Sequence, residues 1–600
     1  MKAVTTDKPV LFPGPSPRLN RQGGWGLLAV LVLAVGYYGS YALSGLDFMG
    51  EGGTVAVIAQ RLAEGQKPIV DTFLGYNVLW FYPIVGLFKV FGPSFTAIRF
   101  FFFTLCTLTA LIGCKTVYRA TGRIWLAVGT GILLVLVPGM QFRNYMGLLP
   151  VANLALLGET VAGQHRSSLK QVAWIAAEAV LLGLTFLIRI DLGLFLTVLI
   201  LGVLAVRLAI GPGSRLERLG FTGIFLLLLP LGFALTHWPV DAYAARHGFR
   251  REFWAQYTYW AAYVQSQALT LIPRPSPAGK PLPPGGVPVS PAPPQGETKP
   301  KVQEADRRPR PLPPLKDVFL ARRAKQRELA YIIYYPVFAI LVLGAALLFL
   351  FVKSFRRPGL RAPCLWLALG LGVTSTLFPQ YLFFRPDPPH VSEMMCPFIV
   401  LAALTLEGAM ACIRQTPSRA LRWTAAGWIA LTVIHLAIYV RYGLKQPSMG
   451  SIALRQPHAV RFVADNGVAA YLPATLKREC QQLYQVIHRY AGPDDYVVCY
   501  PYGPTVNFMT NRPSYQWNLY VDNVTRPSGF DAQTIAQMER YRPAVVLVDD
   551  VPMNETPSSR FSGWAAATLA YVRNKYHYVG TYMRNEVYVR DFDRFFSADR

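Results

Sequence analysis

"WGLLAVLVLAVGYYGSYALSGLDFMGEGG", residues 25–53, decides how the chain is read. Residues 25–43 carry no charge, and crossing the hydrocarbon core of a bilayer takes roughly 20 apolar residues. The run is too long for a signal peptide and no convincing small-residue cleavage site follows it, so it reads as a retained anchor. Directly behind it stand two carboxylates, Asp47 and Glu51, where the chain leaves the bilayer. A third acid, Asp71, follows in the same segment.

The rest of the chain extends that reading. Of its 600 residues, 52% are hydrophobic and only 15% charged. Soluble domains are nearer a quarter charged, so most of this chain is solvated by lipid. The net charge of +26 raises the question of nucleic acid. Its Lys and Arg, however, cluster in short loops between apolar runs and accompany no recognition motif, so we expect no nucleic-acid partner. Of the seven cysteines, five fall in or beside apolar runs, where a thiol behaves as a small hydrophobe. Cys480 and Cys499 lie in the polar C-terminal part, where a disulfide and two unpaired thiols are equally compatible with the sequence.

Hydropathy gives about eleven spans, centred near Val32, Leu108, Leu133, Ala155, Leu181, Val198, Leu227, Leu343, Leu369, Leu401 and Leu431. With the basic tail (residues 1–24) inside, every second loop is cytoplasmic. Those loops read "CKTVYRATGR", "QHRSSLK", "RLAIGPGSRLERLG", "KSFRRPGLRAP" and "CIRQTPSRALR", all basic, so count and orientation agree. The membrane domain then runs 25–445, and four segments share the outer side. They are the opening loop 46–93, the "RID" turn 189–191, the long insertion 237–329 and "QYLFFRPDPPHVSEMM" at 380–395. Within the insertion, 237–270 mixes aromatics with charge like an interfacial helix, and 273–315 is too rich in proline to form a core. From 451 to 600, apolar strands alternate with helices ("YVVCYPY", "AQTIAQMERYR", "PAVVLVDD"), closing on a hairpin at "YHYVGTYMRNEVYVRDF". The expected fold class is therefore a polytopic α-helical membrane protein with a small extracytoplasmic C-terminal α/β domain. That domain contains no phosphate-binding or nucleophile motif, and an accessory or acceptor-binding role is its default.

The outer polar groups carry the chemistry. Asp47 and Glu51 at i, i+4 repel on a helix, and Gly50, Gly52 and Gly53 weaken it further. Such poor helix-building fits converging acids and a close-approaching ligand; the bland alternative is that Asp47 merely caps the helix. Arg385, Asp387 and His390 in "RPDPPH" offer a planar fork and a second donor suited to phosphate oxygens, against interfacial snorkelling as the plain reading. Arg189 and Asp191 either serve a ligand or pair with each other. Tyr76, Trp80 and Tyr82 line a groove or belong to the membrane's aromatic belt. Glu159, Glu178 and Glu407 interrupt spans as candidate buried partners.

The segment "AQRLAEGQKPIVDTFLGYNVLWFYPIVGLFKVFGPSFTAIR", behind an acid that follows the first helix, resembles the first extracytoplasmic loop of the GT-C glycosyltransferases. These include the protein O-mannosyltransferases and the lipid A aminoarabinose transferase. The similarity covers roughly the first 120 residues; the later "RPD–x2–H" element and the closing α/β domain are similar to parts of bacterial members. Where the mannosyltransferase loop has adjacent Asp-Glu, Asp47 and Glu51 are separated, which leaves open which is the base. The resemblance implies inverting sugar transfer from a polyprenyl-phosphate sugar to a lipid, polysaccharide or protein acceptor, in the bacterial inner membrane with the site on its outer face. Asp47 or Glu51 is then the base, Arg385, His390 and Arg189 the phosphate-binding candidates, and Asp71, Tyr76 and Asp387 the substrate-binding ones. A divalent cation near the two acids is compatible with this, but no metal-ligand set accompanies them. The alternative is a transporter or flippase of a lipid-linked or polar solute, which calls for polar groups across mid-membrane and a repeat relating two halves; none is evident. A third reading is a binding protein without catalysis.

Overall fold

All eleven expected span centres fall inside helices. A computed structural model describes residues 21–42, 53, 55–137, 145–162, 168–258, 313–378, 388–445, 459–464, 467–523, 526–552 and 559–590. Asp47, Glu51, Arg385 and Asp387 lie outside them, as do residues 259–312 of the insertion; of His390 only the backbone is described.

The first half contributes α1 (Arg21–Ala42), α2 (Val57–Ala63), α3 (Tyr82–Phe91), α4 (Phe95–Thr121), α5 (Ile124–Leu136), α6 (Tyr145–Ala162), α7 (Ser168–Ile188), α8 (Ile190–Ile210) and α9 (Arg215–Arg246). After a helix at 250–258, α10, come α11 (Asp317–Leu320), α12 (Ala324–Ser354), α13 (Arg361–Ser375), α14 (Pro388–Gln415) and α15 (Arg419–Lys445). Eight of these, α1, α4, α7, α8, α9, α12, α14 and α15, are long and apolar enough to cross a membrane, while α5, α6 and the stretch Val78–Phe91 that contains α3 are shorter apolar helices. The protein is thus a multi-pass membrane protein.

Local chemistry sets the helix ends. The Ser94 hydroxyl accepts from the Thr96 and Ala97 amides to start α4, and Gly122 stops it at φ 67°, where a side chain is strained. Ser214 and Glu217 form a capping box that starts α9. Small residues let α7 and α9 approach closely, as in other helix pairs within lipid. A Cβ on Gly232 would stand 2.5 Å from the Ala179 carbonyl carbon. α9 continues to Arg246, so the first ten residues of the 237–329 segment complete a helix. There the chain reverses at Gly248 (φ 74°), and α10 folds back, burying Phe249 and Phe253.

The C-terminal part opens with the antiparallel pair β1 (Ala459–Val463) and β2 (Ala469–Pro473), a hairpin the sequence reading had not included. Then follow α16 (Ala474–Tyr490), β3 (Val497–Tyr500), α17 (Thr505–Thr510), α18 (Phe530–Tyr541), β4 (Val545–Val548), α19 (Phe561–Trp564), α20 (Ala566–Lys575) and the expected hairpin β5 (His577–Tyr582) and β6 (Asn585–Val589). The larger sheet runs β3-β4-β6-β5, with β3 and β4 parallel and the rest antiparallel. Strand alternation divides its faces. Val498, Tyr500, Val546, Val548 and Tyr588 pack on the α18–α20 side. Val497, Cys499, Val545, Leu547 and Val587 meet Leu483 and Ile487 of α16. The hairpin β1–β2 and α17 instead share the hydrophobic core of the helical bundle through Phe462, Leu472 and Phe508. Cys480 and Cys499 are both unpaired and buried; burial pushes the Cys480 thiol up to about 12.

Candidate active site

Polar contacts fix two ends of the bundle. At one end, Arg119 closes a double contact on Glu159 (2.7 and 2.9 Å), linking α4 to α6. Arg123 and Arg414 converge on Glu407 at 3.3 and 3.2 Å. Arg207 donates to the Val161 carbonyl at 2.6 Å and lies over the Phe221 ring. Two of the three span acids are therefore partners of basic residues, Glu407 buried and Glu159 half-buried. Glu178 differs: its carboxylate oxygens are buried with no hydrogen-bond partner among the described residues.

The other end holds the opening loop. Gly53, Val55 and Ala56, the described residues nearest the acids in sequence, wind as π-helix into α2, a geometry frequent at functional sites. After α2 a tight turn follows, in which Asp71 accepts the Lys67 amide at 2.6 Å and Ile69 sits at φ 73°. Asp71 is exposed and shapes this turn. The chain then enters the bundle at Asn77. Its amide donates to the Ile188 carbonyl (3.2 Å), and its Nδ2 donates to the Phe186 carbonyl (3.0 Å) and to Tyr257 of α10 (3.2 Å). Tyr257 also meets His237 Nε2 at 2.6 Å. One asparagine thereby joins the opening loop and the insertion to the end of α7, just ahead of the turn at 189–191. Of the fourth segment expected on the outer side, 380–395, the first half, 380–387, lies outside the described residues.

Around Asn77 a wall of rings forms. Tyr76 stacks on Trp80 with centroids 3.8 Å apart and planes 8° apart, and Trp80 contacts Tyr145 at 5.0 Å. Arg189 lies 5.9 Å from the Tyr76 ring and is 7% exposed. Its Nε and Nη2 grip Asp191 at 2.6 and 2.8 Å, and Nη1 faces the Met146 sulfur at 3.3 Å. The pairing reading of Arg189 and Asp191 therefore holds, yet the third nitrogen meets only a weak acceptor there. Trp80 Nε1 and Tyr145 Oη are buried without a hydrogen-bond partner among the described residues. Buried donors of that kind ordinarily find an acceptor. Three donors that can serve an oxygen-rich ligand thus lie along one wall: Arg189 Nη1, Trp80 Nε1 and Tyr145 Oη. Tyr82 turns away to Tyr243, at 6.0 Å.

Asn77, Tyr145 and Tyr257 were missed from sequence. Only the i, i+4 spacing of Tyr76 and Trp80 signalled a shared face; nothing in "FRNYMG" marked Tyr145. Among the described residues no group of three or more His, Cys, Asp or Glu comes together to hold a metal.

No protein-family model and no curated protein matches this chain. Two crystal structures are similar to it in trace. ArnT from Cupriavidus metallidurans bound to undecaprenyl phosphate shares 14% identity, covering 94% of this chain and 98% of that chain, at a TM-score of 0.40. The same protein in the apo state gives 14%, 95%, 98% and 0.41. A likeness this shallow assigns neither substrate nor residue.

Proposed function

We propose that the protein is an inverting glycosyltransferase of GT-C type, moving a sugar from a polyprenyl-phosphate-sugar donor to a lipid, polysaccharide or protein acceptor. The work is done on the outer face of the bacterial inner membrane, with the N-terminus cytoplasmic and the α/β domain outside. The observation that carries the reading is the wall formed by Arg189, Tyr76, Trp80 and Tyr145 at the bundle end that receives the acid-bearing loop.

In this scheme Asp47 or Glu51 takes the proton from the acceptor hydroxyl as its oxygen attacks the anomeric carbon. The bond from that carbon to the phosphate oxygen breaks, and the lipid phosphate leaves with the electron pair. Charge grows on the phosphate as it departs, and a fixed cation in a water-poor site stabilises it most. Arg385, His390 and Arg189 are assigned that task, with Tyr76 and Asp387 on the sugar. Asp71, exposed on the turn it closes, is assigned with them to the substrate.

The test is transfer from a panel of synthetic polyprenyl-phosphate sugars by wild type, Asp47→Asn and Glu51→Gln. Turnover of one donor, lost by about 10²–10⁴-fold in one variant that still binds it, supports the reading and names the base. Absence of turnover across the panel, with movement of a lipid-linked solute across proteoliposomes, puts the transporter in its place.

A further inference from the structure

The C-terminal α/β region grips the opening loop at a point just ahead of the aromatic wall. Arg61 of α2 is 5% exposed, and its two terminal nitrogens reach the backbone carbonyls of Ser514 (2.7 Å) and Gln516 (2.8 Å). Burial lowers its proton affinity to about 10, so the guanidinium is held in a site that disfavours its charge and relies on those carbonyls. Trp517 makes the reciprocal contacts. Its carbonyl accepts the Phe73 amide at 2.8 Å, its Nε1 donates to the Ile69 carbonyl at 2.8 Å, and its ring lies 5.0 Å from Phe73. Phe508 of α17 completes the seat between Phe88 and Phe95, at 5.8 and 5.0 Å. Only Leu74 and Gly75 separate Phe73 from Tyr76, and Asn77 then locks into the bundle.

Held from both sides, the segment 69–77 has little freedom to place Tyr76 differently. We propose that Arg61 and Trp517 are positioning residues, through which the α/β region sets the Tyr76–Trp80 wall beside Arg189 and makes itself a working part of the site. This rests on the transferase reading above. A merely appended domain needs no buried arginine of the opening loop seated on its backbone. A site that tolerates little displacement does, because a misplacement of about 1 Å can lower a rate by about 10²-fold.

The experiment combines hydrogen exchange with kinetics on the full-length protein in detergent or nanodiscs. Arg61→Ala and Trp517→Ala are expected to raise exchange across residues 69–81 while the β3-β4-β6-β5 sheet stays protected, and to lower kcat about tenfold or more with donor KM within threefold. Trp517→Phe, which keeps an aromatic ring beside Phe73 but loses the donor to Ile69 and part of the indole's bulk, should fall between these variants and wild type. Unchanged exchange at 69–81 overturns the proposal, as does loosened exchange with wild-type kcat. If wild type turns over no donor, the transferase reading fails separately, and the exchange result alone decides whether the α/β region positions the wall.

Discussion

The two ends of the helical bundle use arginine in different ways. At the basic end, Arg119, Arg123 and Arg414 meet Glu159 and Glu407 from neighbouring helices, and Arg123 and Arg414 remain about half exposed. These pairs staple helices; partly exposed pairs add little stability, about 0–1 kcal/mol each. At the opposite end, Arg189 and Asp191 are paired within one short turn, with side chains 8% and 13% exposed. Rings surround them, and the guanidinium is only partly used. Where arginine is spent on a neighbouring helix it builds the fold. Where it is buried beside donors without a partner among the described residues, it stands where the proposed reading puts the ligand.

That contrast is open to breaking. The largest effect is expected at Arg189→Ala, which leaves Asp191 buried without its partner. Breaking a buried pair costs about 3–5 kcal/mol, and losing a cation aimed at a leaving phosphate lowers the rate by about 10²–10³-fold. The double variant Arg189→Ala, Asp191→Ala separates these, recovering thermal stability in detergent without recovering transfer. Next comes Trp80→Phe, which keeps the stack on Tyr76 and removes Nε1. Transfer should fall about tenfold, in line with one lost hydrogen bond of about 1 kcal/mol or more, and Trp80→Leu, which leaves a cavity of similar kind with the ring stack also gone, should cost more in melting temperature than Trp80→Phe. The smallest effect is expected at Glu159→Gln, with about 1 kcal/mol or less lost in thermal unfolding and transfer within twofold of wild type.

How much of this was legible in the sequence follows from range. Each span centre was readable because a membrane helix announces itself over roughly 20 contiguous residues, and strands such as "PAVVLVDD" carry their own alternation-free buried signature. The hairpin β1–β2 was readable too, since "VADNGVAAY" has the Asn-Gly turn signal, but its strands sit in a stretch dominated by the change from membrane to soluble composition. The opening loop meets the insertion through Asn77 and Tyr257 and the turn at Arg189 through the Tyr76 ring, contacts compatible with the grouping that topology suggests. The grip of Arg61 on Ser514 and Gln516 was not legible. Its acceptors are backbone carbonyls more than 450 residues away, and a carbonyl has no sequence identity. The bond from the Lys67 amide to Asp71 was not legible either, because in sequence an acid that closes its own turn looks like any other loop acid.

The most direct test sets the two ends against each other: transfer from one polyprenyl-phosphate-sugar donor, measured in parallel for wild type, Arg189→Ala and Arg119→Ala at matched folded protein. The expected result is a loss of about 100-fold or more for Arg189→Ala and a rate within twofold of wild type for Arg119→Ala. Equal losses in the two variants, or an undiminished rate in Arg189→Ala, would contradict the assignment of the site to the aromatic end.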